Sequence, residues 1–385
     1  MSRPRRAIGL DISTQTVSAM LIEAAEENGR PVEVAISTDW TASRPYSCER
    51  DRRDPARWVE IVRECIRELC DKIPQATDAE AIGVSTTFPG TFAVLQDGSI
   101  SPDWASLYDN TDDAGASSAK FETELGDAEA EVFNRMSPGN MAIGFANLIK
   151  NRGLVQKNAP AVVSCNSAFG HSLLRSSGLQ ADPHGTVIDF TQAAISGLYD
   201  PKTGGAVPQA VEKLLNAIAP EVDCGLLREQ LPAAAPAWRN VLPEESVAAV
   251  RKFLGLPGLK AVSIGAGDSP AGVSVLAGDP DTIINVRGSS DTPILVVDSP
   301  RRRTGPRETV FHYPSAASKS FDDSPWHVAV PMLRSGRVWD WVKALGGVTD
   351  DSVLENMAKD ALIRRLRSAP GSLGRAALVT SCGTG

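Results

Sequence analysis

Ala7-Ile8-Gly9-Leu10-Asp11-Ile12-Ser13-Thr14-Gln15-Thr16-Val17-Ser18-Ala19-Met20-Leu21-Ile22-Glu23 reads as two strands joined by a tight polar turn. Ala7–Asp11 is a short apolar run closed by an acid, and Thr16–Glu23 is a second β-rich run. A third, Val32–Thr38, alternates apolar and polar residues, the period of a half-buried strand. Between the second and third lies Asn28-Gly29, the strongest short-range hairpin signal. Three antiparallel strands therefore come first.

A helix follows. Asp54-Pro55 supplies an N-cap and an N1 proline, and Trp58, Ile61, Val62, Cys65, Ile66 and Leu69 recur at helical spacing, which forms one apolar stripe to pack on a sheet. Ala81–Thr86 then reads as a buried strand, and Phe92–Leu95, Gln96-Asp97-Gly98-Ser99 and Ile100 as a hairpin. A doubly wound dinucleotide fold opens β-α-β. The order β-β-β-α-β suits an α/β, actin-like (ribonuclease-H-like) domain instead.

Residues from about 114 to 260 are richer in helix signals. Near 261 a second start is read: Ala261–Ile264 as a strand running into Gly265-Ala266-Gly267-Asp268, then Thr282–Val286, the turn Gly288-Ser289-Ser290-Asp291, and Pro293–Val297. The strand–polar turn–strand unit thus occurs twice, at 7–23 and 282–297. Later strands are expected at Thr309–His312, His327–Val330 and Ala376–Thr380, and helices at Gly336–Leu345 and Ser352–Arg367. Leu254-Gly255-Leu256-Pro257-Gly258 reads as a linker, dividing the chain into domains 1–254 and 259–385.

Composition sets outer bounds. The chain has 385 residues, a net charge of −8 and 42% apolar residues, enough for two or three domains with sizeable cores. The acidic balance argues against nucleic acid as a partner. Arg3-Pro4-Arg5-Arg6 and Arg301-Arg302-Arg303 read as solvated segments. No apolar run reaches a membrane-spanning length, and Asp11 interrupts the only N-terminal candidate for a signal segment, so a cytoplasmic protein without membrane contact is expected. Cys48, Cys65, Cys70, Cys165, Cys224 and Cys382 are scattered and read as reduced thiols. His171, His184, His312 and His327 form no ligand cluster and read as structural or solvated. Trp326, Trp339 and Trp341 read as core residues.

Three segments carry candidate chemistry. In Asp11-Ile12-Ser13-Thr14-Gln15-Thr16, small hydroxyl residues and exposed amides of a tight turn can cradle phosphate oxygens, and an acid at a strand end can hold Mg²⁺. The same residues also suit a plain hairpin turn. In Gly265-Ala266-Gly267-Asp268, glycines permit close backbone approach and the acid could serve as general base on an alcohol. Two alternatives stand: Asp268 only caps the helix opening at Ser269-Pro270, or Gly265-x-Gly267-x-x-x-Ala271 with Asp291 is a loose dinucleotide fingerprint of an NAD(P)-dependent oxidoreductase. The third segment, Arg287-Gly288-Ser289-Ser290-Asp291-Thr292, is another turn able to hold phosphate. Arg287 reads as a strand-edge residue facing solvent. A nucleotide clamped between two halves accounts for all three segments, whereas a dinucleotide site accounts for the middle one.

Taken together, these segments resemble the FGGY carbohydrate kinases. Ile8–Thr16 resembles the family's first phosphate motif. Ile82-Gly83-Val84-Ser85, Gly90, Asp97-Gly98 and Leu107-Tyr108-Asp109-Asn110-Thr111 resemble its sugar-site stretch. Asp189-Phe190-Thr191-Gln192-Ala193 through Gly197-Leu198-Tyr199-Asp200 resembles "D-x-S-x-x-x-x-G-L-x-D". Gly265–Asp268 resembles G-x-G-D, and Gly288-Ser289-Ser290 the second phosphate hairpin. The resemblance implies two actin-like ATPase domains with a cleft between them, and ATP-dependent phosphorylation of a hydroxyl of a small sugar (a ketopentose such as xylulose, or a related ketose or polyol). Asp268 would be the general base, and Asp11 the Mg²⁺ ligand. Asp11, Ser13, Thr14, Thr16, Gly267, Gly288, Ser289 and Ser290 would hold phosphates, and Thr87, Phe88, Tyr108, Asp109 and Asn110 the sugar. ATP, Mg²⁺ and a sugar are the implied small-molecule partners, and a homodimer is compatible with the reading.

The chain departs from the pattern in the sugar site. It has Thr87-Phe88-Pro89-Gly90 where xylulokinase-like members carry Gln-Met-His-Gly. It has Tyr108-Asp109-Asn110-Thr111-Asp112 where many carry Trp-Asn-Asp-x-Arg. No Gly-Gly-rich adenosine loop is found before Gly385, so the expectation is an incomplete second domain, and a sugar- or nucleotide-binding homologue with impaired catalysis is the non-enzymatic alternative.

Overall fold

The computed structural model describes residues 4–27, 30–46, 53–108, 134, 136, 139–201, 203–276, 283–287, 291–299, 310–323 and 325–329. The opening reading is realised as strands β1 (Arg5–Ile12), β2 (Thr16–Glu27) and β3 (Arg30–Pro45), each antiparallel to the next. Glu27 pairs with Arg30, the register expected of a two-residue hairpin; Asn28 and Gly29 themselves lie outside the described residues. Alternation in β2 buries Val17, Ala19 and Leu21 on one face, as the period of two requires. β3 runs further in both directions than its alternating core implied, because β2 offers it pairing partners as far as Pro45.

Helix α1 (Pro55–Lys72) starts where the cap signal put it, with the Asp54 carboxylate accepting from the amide of Ala56. Its stripe of Trp58, Ile61, Val62, Cys65, Ile66 and Leu69 is buried, joined by Val59. The Trp58 ring meets Phe92 edge to face, with centroids 5.8 Å apart, the favoured aromatic geometry. The helix carries the chain back to β4 (Ala81–Thr86), which pairs parallel to β1. Next come β5 (Gly90–Val94) and β6 (Ile100–Leu107), joined through Gly98 at φ +74°. With β7 (Ala161–Val163) they form a separate three-stranded sheet, β6-β5-β7.

A helical segment follows. It comprises α2 (Met141–Lys150), α3 (Cys165–Ser176), α4 (Phe190–Ser196), α5 (Gln209–Ile218), α6 (Cys224–Gln230) and α7 (Glu244–Leu254), with the short parallel pair β8 (Ile188–Asp189) and β9 (Ala234–Ala235). α7 leads to β10 (Ala261–Gly267), and β10 pairs parallel to β4. The sheet order is β10-β4-β1-β2-β3: an antiparallel meander on one side and parallel crossovers on the other, the ribonuclease-H-like arrangement expected from β-β-β-α-β.

Two sequence readings are corrected here. Ala261–Ile264 does not open a second unit; it is the fifth strand of the first sheet, because Val262 and Ile264 bury in the core formed by Ile8, Leu10, Ile82 and Trp58. Nor is 254–258 a free linker. Gly255, at φ +73°, caps α7, and Leu254, Leu256 and Leu259 are buried in that same core. After β10, helix α8 (Asp268–Leu276) leads to a second sheet of β11 (Ile283–Arg287), β12 (Asp291–Val297), β13 (Phe311–Pro314) and β14 (Trp326–Ala329), in antiparallel order β11-β12-β14-β13. A second core joins this sheet, through Ile294, Val296 and Tyr313, to Phe145, Ala194, Leu215 and Leu227 of the helical segment. The elements expected at Gly336–Leu345, Ser352–Arg367 and Ala376–Thr380 lie outside the described residues, as do Trp339 and Trp341, while Trp326 is buried as expected.

Trp58 is completely buried between α1 and the β5 hairpin. Trp58→Ala is expected to cost about 3–5 kcal/mol, the usual cost of deleting a large buried aromatic. Urea unfolding should show the loss as a lower midpoint with an unchanged slope.

Candidate active site

The carboxyl ends of β1, β4 and β10 lie side by side, and the predicted site residues Asp11, Ser13, Thr14, Thr16, Thr87, Phe88, Tyr108, Gly267 and Asp268 gather there. In the parallel registers Asp11 lies opposite Ser85, and Gly267 opposite Thr86. Asp11 is the next-to-last residue of β1, and Asp268 directly follows β10, so one sheet edge presents both acids. The amide of Thr87 donates to the carbonyl of Ile12 (2.6 Å), tying the residues after β4 to the turn after β1.

That turn is closed by the Ser13 amide donating to the Thr16 carbonyl (2.9 Å), and the Ser13 and Thr16 hydroxyls lie 3.0 Å apart. Tyr46, at the end of β3, donates its hydroxyl to the Ser13 carbonyl. Thr14 reaches the other way: its hydroxyl lies 2.8 Å from the Tyr108 hydroxyl and 3.4 Å from that of Thr87. The predicted phosphate turn and three predicted sugar-side residues thus form one wall, since Phe88 packs where a Cβ on Gly267 would stand, 2.6 Å from its ring. Gly267 is therefore needed for close approach. Hydroxyls donate once and accept twice, so Ser13, Thr14 and Thr16 keep capacity for a ligand.

Gly265 has a different task. β10 slips register against β4 between Ser263 and Ala266, and Gly265 sits in the slip at φ +58°, where a Cβ would come 2.0 Å from the Val84 carbonyl oxygen. A bulge of this kind re-aims the residues after it. It leaves Asp268 at the N-terminus of α8, its carboxylate accepting from the amide of Ser269 (2.6 Å). Asp268 is the first residue of α8 and accepts from the adjacent amide, not from one a turn further on, so the capping bond of the alternative reading is not formed.

The electrostatics set the two acids apart from surface carboxylates. The Ser85 hydroxyl donates to Asp11 (2.7 Å), yet burial outweighs this bond and raises its pKa. Asp268 is pushed up to about 7, first by burial and second by the negative charge of Asp11. Among the described residues neither acid has a cationic partner within ion-pair distance. Like charges held together without a counter-ion are the pattern of a site made for a cation or a proton.

Asp109, Asn110, Gly288, Ser289 and Ser290 lie outside the described residues, although Arg287 and Asp291 pair at the ends of the strands leading into and out of 288–290. No dinucleotide-type βαβ unit forms at Gly265–Ala271: the strand that follows helix α8, β11, does not return beside β10 but lies in the other sheet, antiparallel to β12, and the Gly265 bulge accounts for its part of that pattern. Three residues at the site carried no assigned role in the sequence: Ser85 and Gln192 stood only within the resembling stretches, and Asn166 in none. The role of Ser85 is found only through its register opposite Asp11. Asn166 and Gln192 lie on α3 and α4, far away in sequence, and bond to residues at the ends of β4 and β10 or to each other. His171 is buried with Nε2 3.2 Å from the Thr186 hydroxyl, and His327 is buried against Tyr313. Among the described residues no cluster of three or more metal-ligating side chains occurs, and no helix is long and apolar enough to cross a membrane.

Comparison with known proteins gives the same fold. No protein-family model and no curated protein matches the sequence. Solved structures do match. Gluconate kinase from Lactobacillus acidophilus superposes with a TM-score of 0.62 at 20% identity, over 85% of this chain and 59% of that one. Xylulose kinase from Rhodospirillum rubrum gives 0.66 at 18%, over 95% and 68%. Plasmodium falciparum glycerol kinase with ADP gives 0.62 at 13%, over 93% and 67%. The chain thus shares the fold of these sugar and glycerol kinases, and spans about 59–68% of the length of these three.

The raised pKa of Asp268 has a consequence for stability. The fold favours its protonated form, so its contribution is fully present below the ordinary value of 3.8 and is lost as pH rises through about 7. Asp268→Asn should therefore melt at a higher temperature than the unmodified protein at pH 8, with the difference shrinking towards pH 4. Thermal melts across that range check it.

Proposed function

We propose that this chain catalyses, or forms the acceptor-side part of an enzyme that catalyses, ATP-dependent phosphorylation of a hydroxyl group on a small sugar or polyol. The observation that carries the reading is the pair of carboxyls, Asp11 and Asp268, brought together at adjacent strand ends without a cationic partner among the described residues. The kinase fold of the neighbouring structures supports it. The two domains are read as meeting after β10, with Asp268 at the hinge between the first sheet and the second.

Asp268 takes the role of general base. With a pKa near 7, about half of it is ionised at neutral pH, close to the optimum for a base that must accept a proton and release it again. The hydroxyls of Ser13, Thr14 and Thr16 hold phosphate oxygens, with Gly288, Ser289 and Ser290 assigned the opposite side by resemblance. Thr87, Phe88 and Tyr108 border the acceptor, and Asp109 and Asn110 are assigned to it by resemblance.

Mg²⁺ fits this donor set. It is normally held by one or two carboxylates plus substrate phosphates, and Asp11 is a half-buried acid without a cationic partner among the described residues. Bound there, the ion would neutralise charge on the transferring phosphoryl group. The protein's own contribution is positioning: it places the acceptor hydroxyl against Asp268, and the wall of Thr14, Thr87 and Tyr108 keeps the acceptor and phosphate sides in register. Ketoses and polyols such as xylulose, ribulose and glycerol are the proposed acceptors.

A coupled ADP-release assay over such a panel tests the reading. With an active acceptor, kcat/KM should rise with pH to a plateau above about 7. Asp268→Asn should lower kcat by about 10²–10⁴-fold, the usual worth of a general base, and remove the acid limb. ADP release at the unmodified rate in Asp268→Asn contradicts the assigned base, and hydride transfer to a nicotinamide without ATP consumption contradicts the whole reading.

A further inference from the structure

The bulge that aims Asp268 is held by one buried side chain. Asn166, on α3, is completely buried, and its amide nitrogen donates to two main-chain carbonyls of β10: Ala266 (2.9 Å) and, more closely, Ile264. These carbonyls flank Gly265, the residue at which the register slips. Without Asn166 both would lose a donor in a dry environment. Its amide oxygen accepts from the Thr86 hydroxyl at the end of β4 (2.6 Å) and from the Gln192 amide nitrogen on α4 (2.5 Å). Gln192 also donates to Asp189 (2.6 Å), the buried N-cap of α4. All four side chains are buried.

Every hydrogen-bonding capacity of the Asn166 amide is thus used: two donors and two acceptor positions. Four partners at fixed places leave a single orientation, and the two carbonyls it grips lie two and four residues before Asp268. The other side of the bulge is held more loosely, by Asn240 donating to the Gly265 carbonyl at 3.3 Å. We propose that Asn166, held by Thr86 and Gln192, is a positioning residue that sets the bulge at Gly265 and so places the Asp268 carboxyl opposite Asp11.

The role rests on the kinase reading for its chemical consequence but not for its geometry, and the test separates the two. Crystal structures of the unmodified protein and of Asn166→Asp, which keeps the acceptor oxygen and has at most one O–H where Asn166 has two N–H donors, so that it cannot hold both carbonyls, read the geometry without any activity. The expected result is an Asp268 displaced by about 1 Å with both sheets unchanged, and a displacement of that size slows catalysis by about 10²-fold. Kinetics with MgATP and an accepted sugar should then show kcat reduced to that extent while KM for MgATP stays within roughly threefold. Asn147→Ala, at an equally buried asparagine on α2, should lower the melting temperature and leave kcat per folded molecule unchanged.

If Asn166→Asp does not fold, Thr86→Val and Thr86→Ser read the same bond: kcat should fall in the first and be retained in the second. The proposal is overturned if Asp268 keeps its place in Asn166→Asp, or if Thr86→Val matches Thr86→Ser. If no acceptor is phosphorylated by the unmodified protein, the kinase reading falls and the crystal structures alone decide the positioning role.

Discussion

Two carboxylic acids that repel each other sit at the ends of strands in one sheet, and the rest of the structure keeps them there. Asp11 comes from β1 and Asp268 from the end of β10, with β4 between them. Burial raises the pKa of both, and the charge of the first lifts the second further, to about 7. Such a pair is unfavourable for folding when ionised. It persists because the strands that present it are anchored elsewhere, in a core of Ile8, Leu10, Ile82, Val262 and Trp58 on α1. Each fully buried side chain of that kind contributes about 1.5–3 kcal/mol, so a dozen of them outweigh one strained site.

The architecture also explains why the acids converge. A parallel pairing puts like ends of strands on one edge, so a residue that closes β1 and one that follows β10 must be neighbours across β4. The antiparallel meander of β2 and β3 closes the other side and folds Tyr46 back on the Ser13 turn. Gly265 adds the single irregularity. Its bulge turns the chain out of the sheet towards α8, and Asn166 fixes the bulge from the helical layer. Through Gln192 and Asp189 the same network reaches α4, which lies in the second core with β13, so the acid pair is tied to both cores.

Much of this was legible along the chain because it rests on local signals. The cap at Asp54, the period of 3.6 from Trp58 to Leu69, the hairpin at Asn28-Gly29 and the strand Ala81–Thr86 each follow from neighbouring residues, and the order β-β-β-α-β identified the sheet. Asp11 and Asp268 could be singled out because each ends a strand at a polar or glycine turn. What escaped depends on register or on distant pairing. Ser85 is an ordinary strand residue until β4 is laid beside β1. Asn166 is one polar residue in a helix until its four partners are assembled from β4, β10 and α4. The place of β10 was misread for the same reason: Gly265–Asp268 looks like a beginning, whereas the partner that makes it an ending, β4, lies about 180 residues earlier.

The central claim is that the acid pair serves phosphoryl transfer to an alcohol, and the product tests it most directly. The unmodified protein would be incubated with MgATP and a ketose or polyol, and the reaction followed by ³¹P NMR. The account predicts a new phosphomonoester resonance that grows in equal amount with ADP and is absent without the acceptor. ADP accompanied only by inorganic phosphate, equal with and without every acceptor, would contradict it.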